Sequence, residues 1–260
     1  MTKVFLGEMN LEEVENYMKT SVPTVIVPIG TTEQHGGHLP YLTDTLIPTE
    51  VAQRVAKKIN ALVAPALPYG LSQGHIGFPG IIWLSGTTLI ALIEELAINL
   101  SKSGFKKIIF INGHFCNDQP LFVALNDITS NDQLPKTTKV YGLTYWNALS
   151  EENLNKYLSW DAGWHANIGE TSAILAIDPN LVNMKNAVKE DPDINRDMFT
   201  MNLMGTQAGG FGTFTKSGIW GDPRNSTKEL GEKFLTQISN AIVTRLGDYE
   251  KYFKKFSKLK

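Results

Sequence analysis

The residues of this 260-residue chain that could do chemistry include only five histidines, at positions 35, 38, 75, 114 and 165. Each lies within two residues of a glycine or an amide side chain, in a stretch typical of turns. The densest such stretch is 30–40, which contains Glu33 and His35, and Asp44 follows four residues beyond it. Carboxylate oxygens and imidazole nitrogens are ligands of Zn²⁺ and Mn²⁺. This pattern indicates a metal site, although a polar turn with histidines bonded to the backbone would have the same composition.

Two later stretches carry groups of the same kind. His114 closely follows an apolar run, and a histidine at the end of a strand is a natural third ligand. The stretch 160–172 offers His165 and Glu170, and its two indoles could wall a small planar substrate, although core packing would use them equally. His75, in a loop rich in glycine and proline, is interpreted as structural or as a partner of a ligand.

Alternating strands and helices are predicted to position these groups, from continuous apolar runs and from i, i+3, i+4 apolar spacing. The predicted strands are 24–29, 61–66, 107–111 and 138–145, and the predicted helices are 12–18, 49–59, 89–100, 120–128, 170–176 and 227–253. No element is predicted over 186–217. This alternation favours a single α/β domain over residues 1–260, with a mostly parallel sheet covered on both faces. Because ligands bind beyond the carboxyl ends of parallel strands, we expect the loop 30–44 and His114 at one edge of the sheet.

The composition excludes several other classes of protein. Hydrophobic residues make up 42% and the net charge is −2, so the chain is neither disordered nor broadly basic like a nucleic-acid binder. One cysteine excludes an intrachain disulfide framework, and no apolar run is long enough for a membrane span or a signal peptide. The three stretches almost lack the basic residues of a phosphatase, and no G-x-G-x-x-G follows the first predicted strand. We expect a soluble cytoplasmic protein that binds neither nucleic acid nor membrane.

These stretches, in this order, resemble the creatininase (creatinine amidohydrolase) family. The resemblance rests on 27–40 with Asp44, 74–75 with 78–80, 112–114 with Asn117, and 165–166 with 170–172, and the segments 218–223 and 231–232 add to it. It covers most of the chain, and the motif EQHGGHLP with its downstream aspartate is highly specific. The resemblance implies a three-layer α/β/α domain, two zinc or manganese ions in each subunit, and a homo-oligomer, often a hexamer.

The resemblance also implies which residues hold the two metals. The ligands of one ion would be Glu33, Asp44 and His114, and those of the other would be His35, the bridging Asp44 and one further carboxylate. In creatinine-cleaving members that carboxylate lies two residues after the histidine of the NGH motif, where this chain has Cys116. We therefore expect Glu170 to complete the second site. Cys116 could instead bind as a thiolate, or could be no more than a small buried residue.

The implied reaction is the hydrolysis of a small cyclic amide such as creatinine. Two metals about 3.5–4 Å apart hold a shared water as hydroxide, which would attack the ring carbonyl while a metal takes up the oxyanion charge. His165 is the candidate acid or base that protonates the leaving group. Glu170 is the second candidate catalytic residue, and it would act as a ligand of the metal. The candidate substrate-binding residues are Phe115, Cys116, Trp160, Asp161 and Trp164.

Alternatives to creatinine cleavage stay open. Cys116, and Asn167-Ile168 where many members have Gly-Glu, weaken the case for creatinine itself. Some relatives hydrolyse a C–C bond of a cyclic diketone in inositol breakdown, as a 3-dehydro-scyllo-inosose hydrolase does, and another branch deformylates a pyrimidine intermediate. A non-catalytic binding or assembly subunit is a further alternative. A degraded ligand set would favour such a subunit, whereas here every expected ligand is present.

Overall fold

A four-stranded parallel sheet lies at the centre of the computed structural model, which describes residues 3–207 and 209–256 and no side chain at 253 or 256. The strands are β1 (Thr24–Ile29), β2 (Leu62–Val63), β3 (Lys107–Asn112) and β4 (Lys139–Thr144), in the spatial order β2-β1-β3-β4. Ile29 is paired with Asn112, and Asn112 with Thr144, so β1, β3 and β4 end at the same level. The segments that follow β1 and β3 therefore begin side by side, as predicted.

Helices cover both faces of this sheet. They are α1 (Leu11–Met18), α2 (Thr43–Ile59), α3 (Gly86–Lys102), α4 (Asp118–Ser130), α5 (Glu151–Tyr157), α6 (Ile168–Ile177), α7 (Met198–Gly205), α8 (Gly210–Phe214) and α9 (Lys228–Phe256). Ile26 of β1 packs with residues of α2, α6 and α9, whereas Val25 and Val27 pack on the opposite face with residues of α1, α3 and α4. None of the described helices is both long and apolar enough to cross a membrane. The predicted three-layer α/β/α architecture is confirmed.

Several elements differ from the prediction. Helix α2 begins at Thr43 and not at Thr49, so Asp44 belongs to its first turn and not to the preceding loop. Strand β2 is confined to Leu62–Val63, although the sequence predicts a strand over 61–66. Helices α5, α7 and α8 are not predicted. Neither is a small antiparallel sheet, formed by β5 (Gly163–His165) and β6 (Trp220–Gly221).

Two glycines let the edge of the sheet pack directly against the first turn of α2. Pro48 has no N–H to donate to the carbonyl of Asp44, which therefore faces out of the helix. Gly30 follows β1 and Gly113 follows β3, and a Cβ at either position would overlap that carbonyl. Their missing side chains thus allow Asp44 to lie beside the ends of both strands.

Candidate metal centre

The predicted ligands converge at the edge of the sheet where β1 and β3 end. They lie in the segment between β1 and α2 (Glu33 and His35), in the first turn of α2 (Asp44), just after β3 (His114) and in the first turn of α6 (Glu170). All five side chains are buried. Charged side chains are rarely buried unless they are paired or bind a metal. The site therefore gathers residues that are far apart in the chain into a buried cluster.

The ligand atoms form two groups that share Asp44. Nδ1 of His114 lies 2.8 Å from Oδ2 of Asp44 and 3.4 Å from Oε1 of Glu33. Nε2 of His35 lies 3.0 Å from Oδ1 of Asp44 and 3.9 Å from Oε1 of Glu170. Within each group the ligand atoms are all within 4.8 Å of one another. Each oxygen of Asp44 thus faces a different histidine.

Hydrogen bonds to the backbone fix which nitrogen of each histidine is free. Nε2 of His114 donates to the carbonyl of Leu71 at 2.8 Å, and Nδ1 of His35 donates to the carbonyl of Glu33 at 3.3 Å. A carbonyl only accepts, so the other nitrogen of each neutral ring carries a lone pair. Both lone pairs face carboxylate oxygens. This arrangement is repulsive unless the rings are protonated or a cation lies between the nitrogens and the oxygens.

Buried oxygens without a hydrogen-bond partner lead to the same conclusion. Among the described side chains, both carboxylate oxygens of Glu33 and Oε2 of Glu170 are buried without such a partner. Groups of this kind carry a large desolvation cost and are rare unless a metal or water satisfies them. The residues present therefore fit cations with oxygen and nitrogen ligands, such as zinc or manganese.

The pKa values of the buried carboxylates and histidines in this cluster also differ from their ordinary values. Burial raises the pKa of Glu33 and that of Glu170 to about 7. Burial opposes ionisation of Asp44 too, but the two histidines beside it hold its pKa well below the usual range. Burial likewise opposes the charge of the histidines, yet the carboxylates outweigh it and raise the pKa of His35 to about 9 and that of His114 well above its ordinary value. Metal binding displaces such protons, because metal ligands must be deprotonated.

His165, at the end of β5, faces the same cluster with one nitrogen. Its Nε2 donates to the carbonyl of Gln34 at 2.8 Å, so Nδ1 is free and lies 3.9 Å from Oε1 of Glu33. Burial, together with His35 and His75, lowers the pKa of His165 well below its ordinary value, and the ring is neutral. His165 could join Glu33 and His35 around a cation, or could exchange a proton through Nδ1.

The turn between β5 and α6 sets the positions of His165 and Glu170. Ala166, between them, has a φ of 50°, a conformation that few residues other than glycine adopt. Oδ1 of Asn167 then accepts a hydrogen bond from the Glu170 N–H at 3.0 Å and caps α6. The amide of Asn167 also donates to the carbonyl of Gly163 at 2.7 Å. Asn167 thereby ties the first turn of α6 to β5.

Two of the predicted substrate-binding residues directly follow His114. Phe115 is 49% exposed, and Cys116 is a half-buried free cysteine. None of the candidate metal-binding groups in the described part of the chain includes Cys116. The structure therefore places Cys116 beside a ligand and groups Glu170, not Cys116, with His35 and Asp44.

The other three predicted substrate-binding residues lie around β5. The indoles of Trp160 and Trp164 meet edge to face, with 5.5 Å between ring centres. The side chain of Asp161 is 97% exposed and lies 3.6 Å from the guanidinium of Arg196. Asp161 is therefore on the surface rather than in the buried cluster, and its substrate contact stays a prediction.

Two side chains at the site, those of Gln34 and Phe211, are assigned no function in the sequence analysis. The amide nitrogen of Gln34 lies 2.9 Å from Nδ1 of His75, whose Nε2 lies 3.1 Å from Oε1 of Glu33. Phe211, on α8, covers the rings of His75 and His165, with centre distances of 4.8 and 4.7 Å. Gln34 lies inside the 30–40 motif and could have been singled out there. No pattern marks Phe211, which lies in the segment without predicted elements.

Comparison with known proteins places the chain in a family. The family model described as creatinine amidohydrolase (creatininase) matches residues 7–246. This chain belongs to the creatininase family. The creatinine amidohydrolase of Pseudomonas putida is 32% identical over 249 residues, covering 89% of this chain and 92% of that protein. The mycofactocin precursor peptide peptidase of Mycolicibacterium smegmatis is 31% identical over 245 residues, covering 88% of this chain and 86% of that protein.

A third relative of this creatininase-family chain represents another chemistry. The 3-dehydro-scyllo-inosose hydrolase of Thermotoga maritima is 27% identical over 199 residues, covering 74% of this chain and 61% of that protein. All three relatives are named as hydrolases of one kind or another. The prediction that this protein is a hydrolytic enzyme of the creatininase type is therefore confirmed, whereas its substrate is not decided by these names.

Solved creatininase structures share the fold of this creatininase-family chain. A crystal structure of creatinine amidohydrolase has a TM-score of 0.80 and 28% identity, covering 96% of this chain and 98% of the other. Two more are a manganese creatininase and a variant creatininase of the Zn–Zn type. Each has a TM-score of 0.79 and covers 95% of this chain and 98% of the other. Both predicted metals thus occur in the family, and this chain has side-chain groups that could hold them. The prediction of a zinc or manganese cofactor is confirmed.

Proposed function

We propose that this creatininase-family protein is a single-domain, two-metal amidohydrolase that opens a small cyclic amide. The observation that carries the proposal is the sharing of Asp44, whose two oxygens lie 3.0 Å from His35 and 2.8 Å from His114. A carboxylate between two imidazoles is what the bridging ligand of a binuclear centre requires. The two relatives above 30% identity, an amidohydrolase and a peptidase, support amide cleavage as the reaction class.

In this proposal the two ligand groups each hold one ion. The ligands of one are Glu33, Asp44 and His114, and those of the other are His35, Asp44 and Glu170. When bound, zinc or manganese supplies Lewis acidity toward a carbonyl oxygen and lowers the pKa of water. The protein keeps the carboxylates out of bulk water and fixes both imidazoles through backbone carbonyls. This preorganisation lets the charges act at full strength on a bound substrate.

His165 is proposed to move the proton of the reaction. Its ring is neutral, and Nδ1 is the free nitrogen on the side of the cluster. Nδ1 would accept a proton from the water that attacks the carbonyl carbon, and would release it to the leaving nitrogen as the C–N bond breaks. The bond from Nε2 to the carbonyl of Gln34 holds the ring in one orientation and stabilises the positive charge that develops on it.

The substrate is proposed to lie against Phe115 and Cys116 on one side and the Trp160–Trp164 pair on the other. A thiol is a weaker hydrogen-bond acceptor than a carboxylate, so Cys116 suits an uncharged cyclic amide better than the basic creatinine. Flat indoles suit a small planar ring. The homo-oligomer, a hexamer by resemblance, and the cytoplasmic location stay predictions.

Hydrolysis of a C–C bond in a cyclic diketone is the second candidate function. The similarity to the inosose hydrolase favours it, as does the lack of a carboxylate at position 116. The same side chains would serve, because a ketone carbonyl is polarised as an amide carbonyl is, and His165 would give its proton to carbon instead of nitrogen. The two candidates differ only in the leaving group.

Metal analysis combined with hydrolysis assays tests the proposal. Purified protein is analysed for zinc and manganese and assayed on creatinine, on uncharged cyclic amides such as hydantoins and dihydropyrimidinones, and on inositol-derived cyclic diketones. Asp44→Asn, which keeps the size of the side chain, is the control for activity that depends on the metals. We expect close to two ions per chain and ring opening of an uncharged amide. Turnover of the diketone alone would favour the second candidate, and a protein that takes up no metal would favour a non-catalytic subunit.

A further inference from the structure

A chain of contacts leads from a backbone N–H to the carboxylate of Glu33. The N–H of Gly36 donates to Oε1 of Gln34 at 2.8 Å. Nε2 of Gln34 lies 2.9 Å from Nδ1 of His75, and Nε2 of His75 lies 3.1 Å from Oε1 of Glu33. The side chains of Gln34, His75 and Glu33 are all buried. Neither Gln34 nor His75 belongs to the two ligand groups that share Asp44.

Chemistry fixes the direction of each contact in this chain. A backbone N–H only donates, so the Gln34 atom that faces Gly36 is the oxygen and the atom that faces His75 is the amide nitrogen. Nδ1 of His75 is therefore the acceptor, and the ring proton lies on Nε2, toward Glu33. The same amide nitrogen comes within 3.4 Å of Nε2 of His165. That approach is not a second hydrogen bond, because Nε2 of His165 uses its proton on the Gln34 carbonyl.

We propose that Gln34 and His75 are positioning residues that hold Glu33 in the orientation it needs as a ligand of the two-metal centre proposed above. The N–H dipole of His75 faces the carboxylate at short range, yet its alignment leaves both Glu33 oxygens without a hydrogen bond. Their lone pairs stay available to a metal. Without the Gln34 amide the ring could adopt its other tautomer, whose bare nitrogen would repel Glu33. Gln34 thus selects the form of His75 that supports the ligand.

Packing leaves this pair little freedom. The ring of Phe211 stacks on His75, with 4.8 Å between ring centres. Gly218, at φ +78°, lies so close to the Gln34 amide that a Cβ would be 2.5 Å from Cδ of Gln34. Turning the amide over would place its NH2 against the N–H of Gly36 and its oxygen against Nδ1 of His75, so both hydrogen bonds would be lost. The orientation of the pair is therefore built into the fold rather than adopted when metal binds.

Metal affinity tests this proposal, because the proposal assigns both residues a role in holding a metal ligand. His75→Leu removes the ring N–H, and His75→Gln keeps a donor close to the place of Nε2. We expect His75→Leu to bind one of the two ions about 10–100-fold more weakly, while the affinity for the other is unchanged. We expect His75→Gln to restore most of that affinity. Both values come from competition between metal-free protein and a chromophoric chelator, with circular dichroism as the check of folding.

The tautomer of His75 provides a second measurement, which a purely structural role would not change. Spectra of the zinc form labelled with ¹⁵N-histidine should show the proton of His75 on Nε2, and Gln34→Met should shift it toward Nδ1. A proton on Nδ1 in the native protein, native affinity for both ions in His75→Leu, or an equal loss of both ions would each overturn the proposal. Failure of the native protein itself to bind two metals would instead refute the proposed function, and this inference with it.

Discussion

Gly113→Ala tests whether the close contact between the sheet edge and α2 builds the metal centre. A Cβ at Gly113 would lie 2.6 Å from Cγ of Pro48, 2.7 Å from its Cδ, and closer still to the carbonyl oxygen of Asp44. Neither a proline ring nor a helical carbonyl can move aside cheaply. The first turn of α2 must therefore shift. Overpacking of this kind costs about 1–3 kcal/mol of the free energy of unfolding.

The expected change can be measured by thermal unfolding against a matched control. For a chain of this size each kcal/mol corresponds to about 2–4 °C in Tm, so Gly113→Ala should lower Tm by roughly 2–12 °C. At Gly247, inside α9, a Cβ would have no atom within 4 Å apart from those of its chain neighbours and of its own helix backbone. The same substitution there should raise the free energy of unfolding by up to about 1 kcal/mol, because alanine favours the helix. The two variants should thus change stability in opposite directions.

Metal analysis of Gly113→Ala gives the functional part of this prediction. Because both ligand groups share Asp44, displacement of its turn should weaken the binding of both ions together. Chelator competition on the folded variant at a temperature well below its Tm measures this directly. A Gly113→Ala protein with native Tm and two tightly bound ions would show that the close packing of Gly113 does not position Asp44, and the reasoning would be wrong.

Four further predictions concern the same centre. Asp44→Asn should abolish tight binding of both ions, whereas Glu170→Gln should abolish that of one ion. Metal analysis of the two variants therefore distinguishes a ligand shared by both ions from a ligand of one ion. His165→Gln should keep both ions but lower kcat by about 10²–10⁴-fold, as for a proton-transfer group, and loss of metal would contradict that role. Cys116→Ala should retain both ions in a chelator titration, which it would not do if the thiolate were a ligand. Removal of metal should lower the free energy of unfolding by about 2.7 kcal/mol for each site, and so by about 5 kcal/mol for two sites, relative to protein in free metal at 100 times Kd, in urea titrations. An unchanged midpoint would argue against a metal that binds only the folded state.

The sheet and its flanking helices could be predicted because their signals are local. Strand β3 lies within one residue of the predicted 107–111, and α3 extends the predicted 89–100 by a few residues at either end. Each buries apolar residues whose spacing is visible in the sequence. Since parallel strands end at a common edge, strand order alone brings the segment after β1 next to His114.

The start of α2 could not be predicted in this way. Proline is favoured in the first turn of a helix, which suggests a helix that begins near Pro48. The observed helix begins at Thr43, one turn before Pro48. Pro48 leaves the carbonyl of Asp44 without a hydrogen bond inside the helix, and the helix tolerates this because that carbonyl faces Gly30 and Gly113. That contact joins elements that are distant in the chain, so no local pattern reports it. The consequence for the site is large, since it decides the position of Asp44.

Contacts between distant residues also explain the elements missed after residue 186. The carboxylate of Glu190 accepts hydrogen bonds from the N–H groups of Lys216 and Ser217, at 2.7 and 2.8 Å. This holds the two ends of the segment that carries α7 and α8. Gly221 of β6 pairs with Gly163 of β5. Both strands are too short to show the alternation of apolar residues that would predict a strand. Phe211 is therefore placed over His75 and His165 by tertiary contacts, not by periodicity.

The choice between Glu170 and Cys116 determines which metals the second site can take. Glu170 reaches His35 and Asp44 from the first turn of α6, where the helix N-terminus and the Asn167 cap favour a carboxylate. A carboxylate completes a set of oxygen and nitrogen ligands, which suits manganese and zinc alike, whereas a thiolate favours zinc and disfavours manganese. If Glu170 is the ligand, we expect manganese to fill both of the proposed sites. Manganese restricted to one site, with zinc required at the other, would instead point to Cys116.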